Sequence, residues 1–184
     1  YELSNFYLNL SIYLNPNFIF NNTLLAENYF YLEDYKNSKK ILLKFNSKNQ
    51  IYSWYARKRI VSIKNILEGK KSAINFLNTS FNQLENPTTE NYYDLANFYK
   101  DFKEYKKAIK YYTKTLNNIN HNNPLYSKIL HRRGMCYERL KMWEKFENDL
   151  IKSLSLVPEE PYVLNYLAYS WLERNINIDK SIKM

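Results

Sequence analysis

A pattern of large and small side chains returns along this chain at nearly constant spacing, and it restricts the possible folds more than any other feature. Its clearest copy starts at Thr89 and consists of two segments whose apolar residues lie three and four positions apart. Such spacing places the apolar residues on one face of an α-helix, so this copy predicts a pair of amphipathic helices. Its members are Tyr92, Leu95, Ala96, Tyr99, Ala108, Tyr112 and Thr115.

Further copies of the pattern begin at residues 19, 54, 127 and 161. Prolines separate the copies, because Pro16, Pro87, Pro124 and Pro158 each follow one helical stretch and precede another. A proline interrupts the hydrogen bonds of a helix, so these positions are natural ends. A helix pair with a single apolar face cannot bury that face alone. Copies in register therefore predict a stack that shares one continuous core.

The pattern resembles the tetratricopeptide repeat, a 34-residue helix–turn–helix unit. Its small residues stand where the two helices of a unit approach each other, and its large residues stand where they fill the space between units. The last copy is similar to units common in bacterial members of the family. The resemblance implies an all-α fold, a right-handed α-solenoid of antiparallel helix pairs, and a scaffold that binds a protein or peptide in its concave groove.

The spacing of these copies, which we call the repeat frame, predicts a single array over residues 1–184. Residues 19–53, 54–88, 89–126 and 127–160 are expected to form full repeats, with short insertions at residues 51–53 and 121–123. Residues 1–18 match the second helix of a truncated repeat, and residues 161–184 match a partial one. Both ends look cut, so we expect a fragment of a longer array. Homo-oligomers through these ends, in a self-assembling structural array, are one alternative function.

Few residues are suited to catalysis. The two glycines, Gly69 and Gly134, cannot supply a glycine-rich phosphate loop, and few glycines also argue against many tight sheet turns. The single cysteine, Cys136, excludes an intrachain disulfide and a cysteine-based zinc site. The histidines, His121 and His131, form no metal-binding pair. We therefore expect no enzyme activity, no cofactor and no metal.

The sequence leaves the compartment open. No apolar run reaches the roughly 18 residues that a transmembrane helix needs. The sequence starts with Tyr1, so the native N-terminus is expected to be missing and a targeting segment cannot be judged. The family resemblance is compatible with the bacterial cytoplasm or the cell envelope.

The net charge of +9 and the isoelectric point near 9.3 raise the alternative of a nucleic-acid-binding helical repeat. In the family, first helices line the groove, and the corresponding positions here hold equal numbers of bases and acids. The surplus lies on second helices and loops, so nucleic acid is an unlikely partner. The groove bases are Lys58, Arg59, Lys100, Lys128, Arg132 and Arg139, and the acids are Glu27, Glu90, Asp94, Asp101, Glu138 and Glu173.

Residues on the predicted first helices are the candidates for partner binding. Several form i,i+4 pairs, which place two side chains on one helix face. Tyrosine and methionine offer apolar area that suits recognition of a peptide segment. The residues expected to contact a partner are Lys58, Tyr93, Asn97, Lys128, His131, Arg132, Met135, Asn165 and Tyr169.

A more specific possibility is a clamp for a peptide C-terminus, as some tetratricopeptide proteins have. The matching positions here include Lys58, Lys128 and Arg132, together with Ser62 and Asp94. Asp94 would put a carboxylate where the ligand carboxylate should bind. The clamp is therefore disfavoured.

One repeat departs from the usual pattern of small residues. Phe146 stands where alanine is usual, and its expected neighbour is Gly134. We predict that the glycine makes room for the ring, so that Gly134→Ala destabilises the fold by overpacking.

Overall fold

The computed structural model describes residues 1–45 and 49–183. It divides into two compact units, residues 1–85 and residues 86–184. Each unit is a series of α-helices joined by short turns, with no strand among the described residues. This confirms the all-α helical-repeat class. The predicted single array and its repeat boundaries remain predictions, and residues 46–48 and Met184 lie outside the described residues.

The first unit consists of helices α1 to α5. Consecutive helices pack antiparallel in pairs, α2 with α3 and α4 with α5, while α1 packs on α2 and α3 packs on α4. The predicted insertion at residues 51–53 is helical and belongs to the first turn of α4. The helices are α1 (Glu2–Leu14), α2 (Ile19–Tyr31), α3 (Tyr35–Leu42), α4 (Gln50–Glu68) and α5 (Lys70–Asn82).

The second unit repeats the arrangement with helices α6 to α11. The pairs are α6 with α7, α8 with α9 and α10 with α11, and each pair packs on the next through α7 against α8 and α9 against α10. The helices are α6 (Thr89–Asp101), α7 (Tyr105–Asn117), α8 (Leu125–Arg139), α9 (Trp143–Leu156), α10 (Pro161–Glu173) and α11 (Ile178–Ile182). No helix in the described ranges combines the length and apolar composition that crossing a bilayer requires.

The turn inside most helix pairs has the same construction. After α2 the backbone enters the left-handed region at Glu33, whose N–H donates to the carbonyl of Phe30 at 3.0 Å, and the next N–H reaches back to Tyr29 at 2.8 Å. This double return is the Schellman motif, in which glycine is the usual left-handed residue. Non-glycine residues take that place in three further turns, Lys103, Lys141 and Asn175. The chain therefore has more positive φ angles than its two glycines could supply.

Small polar residues hold the helices of a pair close together. In the first unit, the Ser38 hydroxyl donates to the Ala26 carbonyl at 2.8 Å, and both residues are fully buried. In the second unit, Ser127 and Ser153 join α8 to α9 through hydroxyls 2.8 Å apart. Buried polar groups need such partners because an unpaired one costs about 1–3 kcal/mol. The small residues of the repeat pattern thus allow the close approach and also supply its hydrogen bonds.

Gly134 lies on α8 where α9 packs against it. A Cβ built there would overlap the Cδ1 atom of Leu150 and would lie 3.4 Å from Asp149 Cβ and 3.5 Å from the Phe146 carbonyl oxygen. The glycine therefore makes room for the Leu150 side chain and the α9 backbone, while the Phe146 ring packs against Trp143 and Tyr166. The predicted tight fit is present, but the neighbour that fills it is Leu150.

The joint between α4 and α5 is different. A single residue, Gly69, separates the two helices, with φ 84° and ψ 171°. This backbone conformation is open almost only to glycine. The turn between α4 and α5 therefore requires glycine, whereas the Schellman turns accept several residue types.

Candidate functional site

A cavity of about 540 Å³ opens in the second unit, on the face that carries helices α8 and α10. Its size lies within the range of ligand pockets in proteins. Its walls come from α8, the end of α6, the loop after α9 and the first turn of α10. The lining residues are Lys100, Pro124, Ser127, Lys128, His131, Arg132, Met135, Ser153, Val157, Glu160, Tyr162 and Val163.

Helix α8 supplies the largest share of the wall. Lys128, His131, Arg132 and Met135 are three, four and seven positions apart, and residues at this spacing share one helix face. The opposite face of α8 is buried, because Ile129, Leu130 and the rest of its apolar stripe belong to the core. The amphipathic pattern that forms the helix therefore also aims these four side chains at the cavity.

Arg132 is held in place by residues of α6. One guanidinium nitrogen, Nη1, donates to Asn97 Oδ1 at 2.6 Å, and the guanidinium carbon lies 5.7 Å from the centre of the Tyr93 ring. The same Asn97 oxygen accepts a hydrogen bond from the buried Tyr112 hydroxyl at 2.7 Å. A cation over an aromatic face is attracted to it. Tyr93 and Asn97 therefore orient the arginine that lines the cavity.

Positive charge dominates the cavity wall. Lys128 is exposed and Arg132 is half-buried, and neither forms an ion pair within the described part of the chain. Lys100 pairs with Asp101 at 2.7 Å, but that carboxylate is 63% exposed and its attraction is screened by water. Glu160 is the acidic residue of the lining.

His131 lies half-buried on this wall, with its ring edge toward Tyr166 at a centroid distance of 6.1 Å. Burial lowers the pKa of its imidazole below 6.5; the nearby Glu160 carboxylate opposes this shift, and the cations of Arg132 and Lys100 add to it. The imidazole is therefore neutral at pH 7.

Exposed aromatic and polar residues continue this face along α10. Tyr162 and Tyr169 are 76% and 59% exposed, and Asn165 is exposed between them. A hydrogen bond to the Glu173 carboxylate raises the pKa of the Tyr169 hydroxyl. Tyr162, Asn165 and Tyr169 together form the α10 stripe, an amphipathic surface beside the basic cavity.

The structure groups the predicted site residues unevenly. Lys128, His131, Arg132 and Met135 meet in the cavity, and Tyr93 and Asn97 support Arg132 from behind. Asn165 and Tyr169 lie on the α10 stripe outside the lining. Lys58 belongs to α4 of the first unit and is not part of this site. Whether any of them contacts a partner remains a prediction.

Other lining residues were not among the site candidates. Glu160 and Val157 belong to the loop between α9 and α10, and the repeat frame used only first-helix positions. The sequence signal that points to this loop is Pro158. A proline that ends one repeat lies in the loop that leads to the first helix of the next repeat, which here is α10. Lys100 was among the groove bases but was not selected as a partner-binding residue.

The rest of the basic surplus lies elsewhere on the unit. Lys103, Lys106, Lys107, Lys110 and Lys114 are exposed on or beside α7, and none lines the cavity. Cys136 is fully buried, and burial raises the pKa of its thiol to about 12. Within residues 1–45 and 49–183, no three His, Cys, Asp or Glu side chains are placed to hold a metal ion.

Comparisons with known proteins agree with this architecture. A family model described as the tetratricopeptide repeat matches residues 89–117, which span α6 and α7. No curated protein sequence matches the chain.

Several solved structures share the fold. MamA is 20% identical with a TM-score of 0.58, over 83% of this chain and 86% of its own. MamA from Desulfovibrio magneticus RS-1 is 12% identical with a TM-score of 0.65, over 88% of each chain. YrrB, described as a TPR protein with an unusual peptide-binding site, is 16% identical with a TM-score of 0.60, over 89% of this chain and 81% of its own.

Residues 89–117 match the tetratricopeptide-repeat family, and the described chain shares the helical-repeat fold of these solved structures.

Proposed function

We propose that the second unit binds a segment of another protein, and that the cavity and the α10 stripe are the contact surface. The observation that carries the proposal is the composition of this face. It combines a concave site of about 540 Å³ and exposed tyrosines with two cations, Lys128 and Arg132, that form no ion pair with any carboxylate in the described parts of the chain. Binding surfaces are enriched in tyrosine, methionine and arginine at their centres.

The mechanism is preorganised complementarity. Asn97 and Tyr93 fix Arg132 before any partner arrives. An arginine that is already ordered loses less side-chain entropy when it binds, and this loss costs about 0.5–1.5 kcal/mol for a flexible side chain. No chemical step is needed, and the proposed role is that of a scaffold and not of an enzyme.

The test begins with peptides selected from a random displayed library against the 184-residue chain. Selected peptides are synthesised, and their affinity is measured by fluorescence anisotropy with matched pairs of variants. Lys128→Ala and Tyr162→Ala change the proposed surface. Lys110→Ala and Tyr31→Ala remove an exposed lysine and an exposed tyrosine at other places on the chain.

We expect each change on the proposed surface to weaken binding about tenfold, since central contacts cost about 1–2 kcal/mol when truncated. The control changes should leave affinity unaltered. Equal effects of both sets, or no selected peptide at all, would contradict the proposal.

Self-association is a second candidate, favoured by the apolar surface of α1. Tyr13, Leu14 and Leu3 are 84%, 73% and 69% exposed, and the helix carries Glu2 as its charged residue. Contiguous apolar surface of this kind often marks an interface. Sedimentation velocity over a range of concentrations tests it: dimers that Leu14→Glu abolishes support this candidate, and a monomer at all concentrations removes it.

A further inference from the structure

Exposed lysines occupy matching places on α7 and α9, the second helices of two successive pairs. Each helix has a lysine as its third residue and another as its tenth, and the left-handed turn before each helix holds one more. Lys106 and Lys110 add two further lysines on α7, at a spacing that keeps them on the same side of the helix. We call these exposed residues the lysine face: Lys103, Lys106, Lys107, Lys110, Lys114, Lys141, Lys145 and Lys152.

Tyrosine rings support five of these lysines from below. The ammonium nitrogen of each lies 4.0–5.8 Å from the centre of a ring, and attraction between the cation and the ring holds the side chain along the surface. None of the five rings is exposed, and Tyr99 and Tyr111 also stack on each other at an interplanar angle of 8°. The pairs are Lys107 with Tyr99, Lys110 with Tyr111, Lys114 with Tyr92, Lys145 with Tyr137 and Lys152 with Tyr126.

Few carboxylates offset the charge of the lysine face. Residues 103–117 and 141–156 contain eight lysines and four acids, which are Glu104, Glu144, Glu147 and Asp149. Glu104 pairs with Lys107, whereas Glu147 and Asp149 pair with arginines outside the face. Within the described residues, the other seven lysines of the face form no ion pair. The face therefore carries a surplus of positive charge that the protein itself does not neutralise.

The chemistry of this face fits an anionic bilayer better than it fits a nucleic acid. Single-stranded nucleic acid is bound by aromatic rings on which bases stack, and base edges are contacted above all by arginine. Residues 103–117 and 141–156 have neither an exposed ring nor an arginine. By contrast, a group of about 4–8 basic residues on a helix surface is a typical binding site for anionic lipid headgroups.

We propose that the lysine face binds the surface of a lipid bilayer that contains anionic lipids, through the ammonium groups of α7 and α9. The contact is electrostatic and peripheral, and no helix enters the hydrocarbon core. This inference goes beyond the proposed function, because the lysine face shares no residue with the cavity or the α10 stripe. Binding to a bilayer and binding of a peptide are thus separate activities of the second unit.

The strength of binding follows from the number of lysines that reach the headgroups. Each lysine near an anionic surface strengthens binding about fivefold. Salt shortens the reach of these exposed charges from about 10 Å at 0.1 M to about 3 Å at 1 M. Binding should therefore be tight in dilute salt and lost in concentrated salt, because the contact has no apolar part.

Sedimentation with sucrose-loaded vesicles measures this binding for the 184-residue chain. One set of vesicles consists of phosphatidylcholine, and the other contains about 30% phosphatidylserine as the anionic lipid. The partition coefficient is measured between about 0.05 and 0.5 M NaCl. We expect binding to the anionic vesicles in dilute salt, release as the salt concentration rises, and no binding to phosphatidylcholine alone.

Three matched variants separate the lysine face from the net charge of the chain. Changing three lysines of α7 to glutamine should lower the partition coefficient about tenfold or more, and changing them to arginine should preserve it. The control changes three exposed lysines of the first unit to glutamine, which removes the same charge and should have little effect. Circular dichroism confirms that each variant is folded. The α7 positions are Lys107, Lys110 and Lys114, and the control positions are Lys36, Lys40 and Lys44.

Three results would overturn the inference. Anionic vesicles could fail to bind the wild-type chain in dilute salt, or both glutamine variants could weaken binding equally, which would mean that net charge alone is responsible. The third is a short DNA duplex that binds more tightly than the anionic vesicles and through the same lysines, which would assign the face to nucleic acid. The α7 glutamine variant should keep its affinity for peptides selected against the cavity, so failure of either proposal leaves the other standing.

Discussion

Gly134 gives the sharpest test of how the helices of a repeat are fitted together. A methyl group at this position would overlap Leu150 Cδ1, whereas carbon atoms in contact normally lie about 3.5–4.0 Å apart. The Leu150 side chain must therefore move by about 1 Å or more, and it is fully buried, with α9 backbone behind it. Overpacking of this kind costs about 1–3 kcal/mol.

Two effects oppose each other in Gly134→Ala. Alanine favours a helix over glycine by about 1 kcal/mol, so the net result is a destabilisation of about 0–2 kcal/mol, with about 1 as the expected centre. Urea denaturation followed by tryptophan fluorescence measures it. A Trp54→Phe background confines the signal to Trp143 and Trp171, which belong to the unit that contains the glycine.

The cause is isolated by repeating the change in a Leu150→Ala background. That single change should cost about 2–5 kcal/mol, and it removes the atom that the new methyl group meets. Gly134→Ala should then become stabilising by about 1 kcal/mol, so the two changes are coupled by about 1–3 kcal/mol. If Gly134→Ala costs the same in both backgrounds, the contact with Leu150 is not the reason.

Other changes test other parts of the second unit. Arg133 binds the Asp149 carboxylate through two nitrogens at 2.7 Å. Asp149→Ala should lower the free energy of unfolding, measured by urea denaturation, by about 3–5 kcal/mol, because it leaves the largely buried guanidinium without its ion-pair partner. A loss under about 1 kcal/mol would refute this. The Cys136 thiol, buried and with its pKa raised to about 12, should resist a thiol reagent at pH 8 until the protein unfolds, and prompt reaction of folded protein would contradict its burial. Lys106→Glu should stabilise the fold by about 0.5–1 kcal/mol, since it replaces a cation in the first turn of α7, where anions are favoured. Lys106→Gln should give about half of this stabilisation. A loss of stability would argue that this lysine has an unseen role.

The helices were predictable because the apolar residues of the sequence recur with the period of an α-helix. Apolar positions three and four apart in the copy at Thr89 correspond to α6 and α7, and the prolines at 87, 124 and 158 fall between helix pairs as expected. The same rule explains why four of the candidate residues on α8 line one cavity. Side chains at this spacing must share a face, so Lys128, Arg132 and their neighbours had to meet wherever the helix packed.

Two kinds of feature could not be predicted in this way. Contacts between helices depend on which side chain reaches farthest across the interface. The repeat frame gives no such information, so it did not predict that Leu150, and not Phe146, fills the space beside Gly134. Residues in connecting loops have no periodic position, so Glu160 went unnoticed although it faces the cations of the cavity. Lys58 shares its repeat position with His131, but an equivalent position in another repeat does not place a residue in the same site.

The left-handed turns have a consequence for how such a chain can change over evolution. Glu33, Lys103, Lys141 and Asn175 occupy one structural position with different chemistry, so nothing in their side chains is required for the turn. A left-handed conformation costs a residue with a side chain about 1–2 kcal/mol, and asparagine somewhat less. Glycine at three of these positions would recover part of that cost without touching the cavity or the core. The turns thus hold a reserve of a few kcal/mol, which could offset destabilising changes on the proposed binding surface.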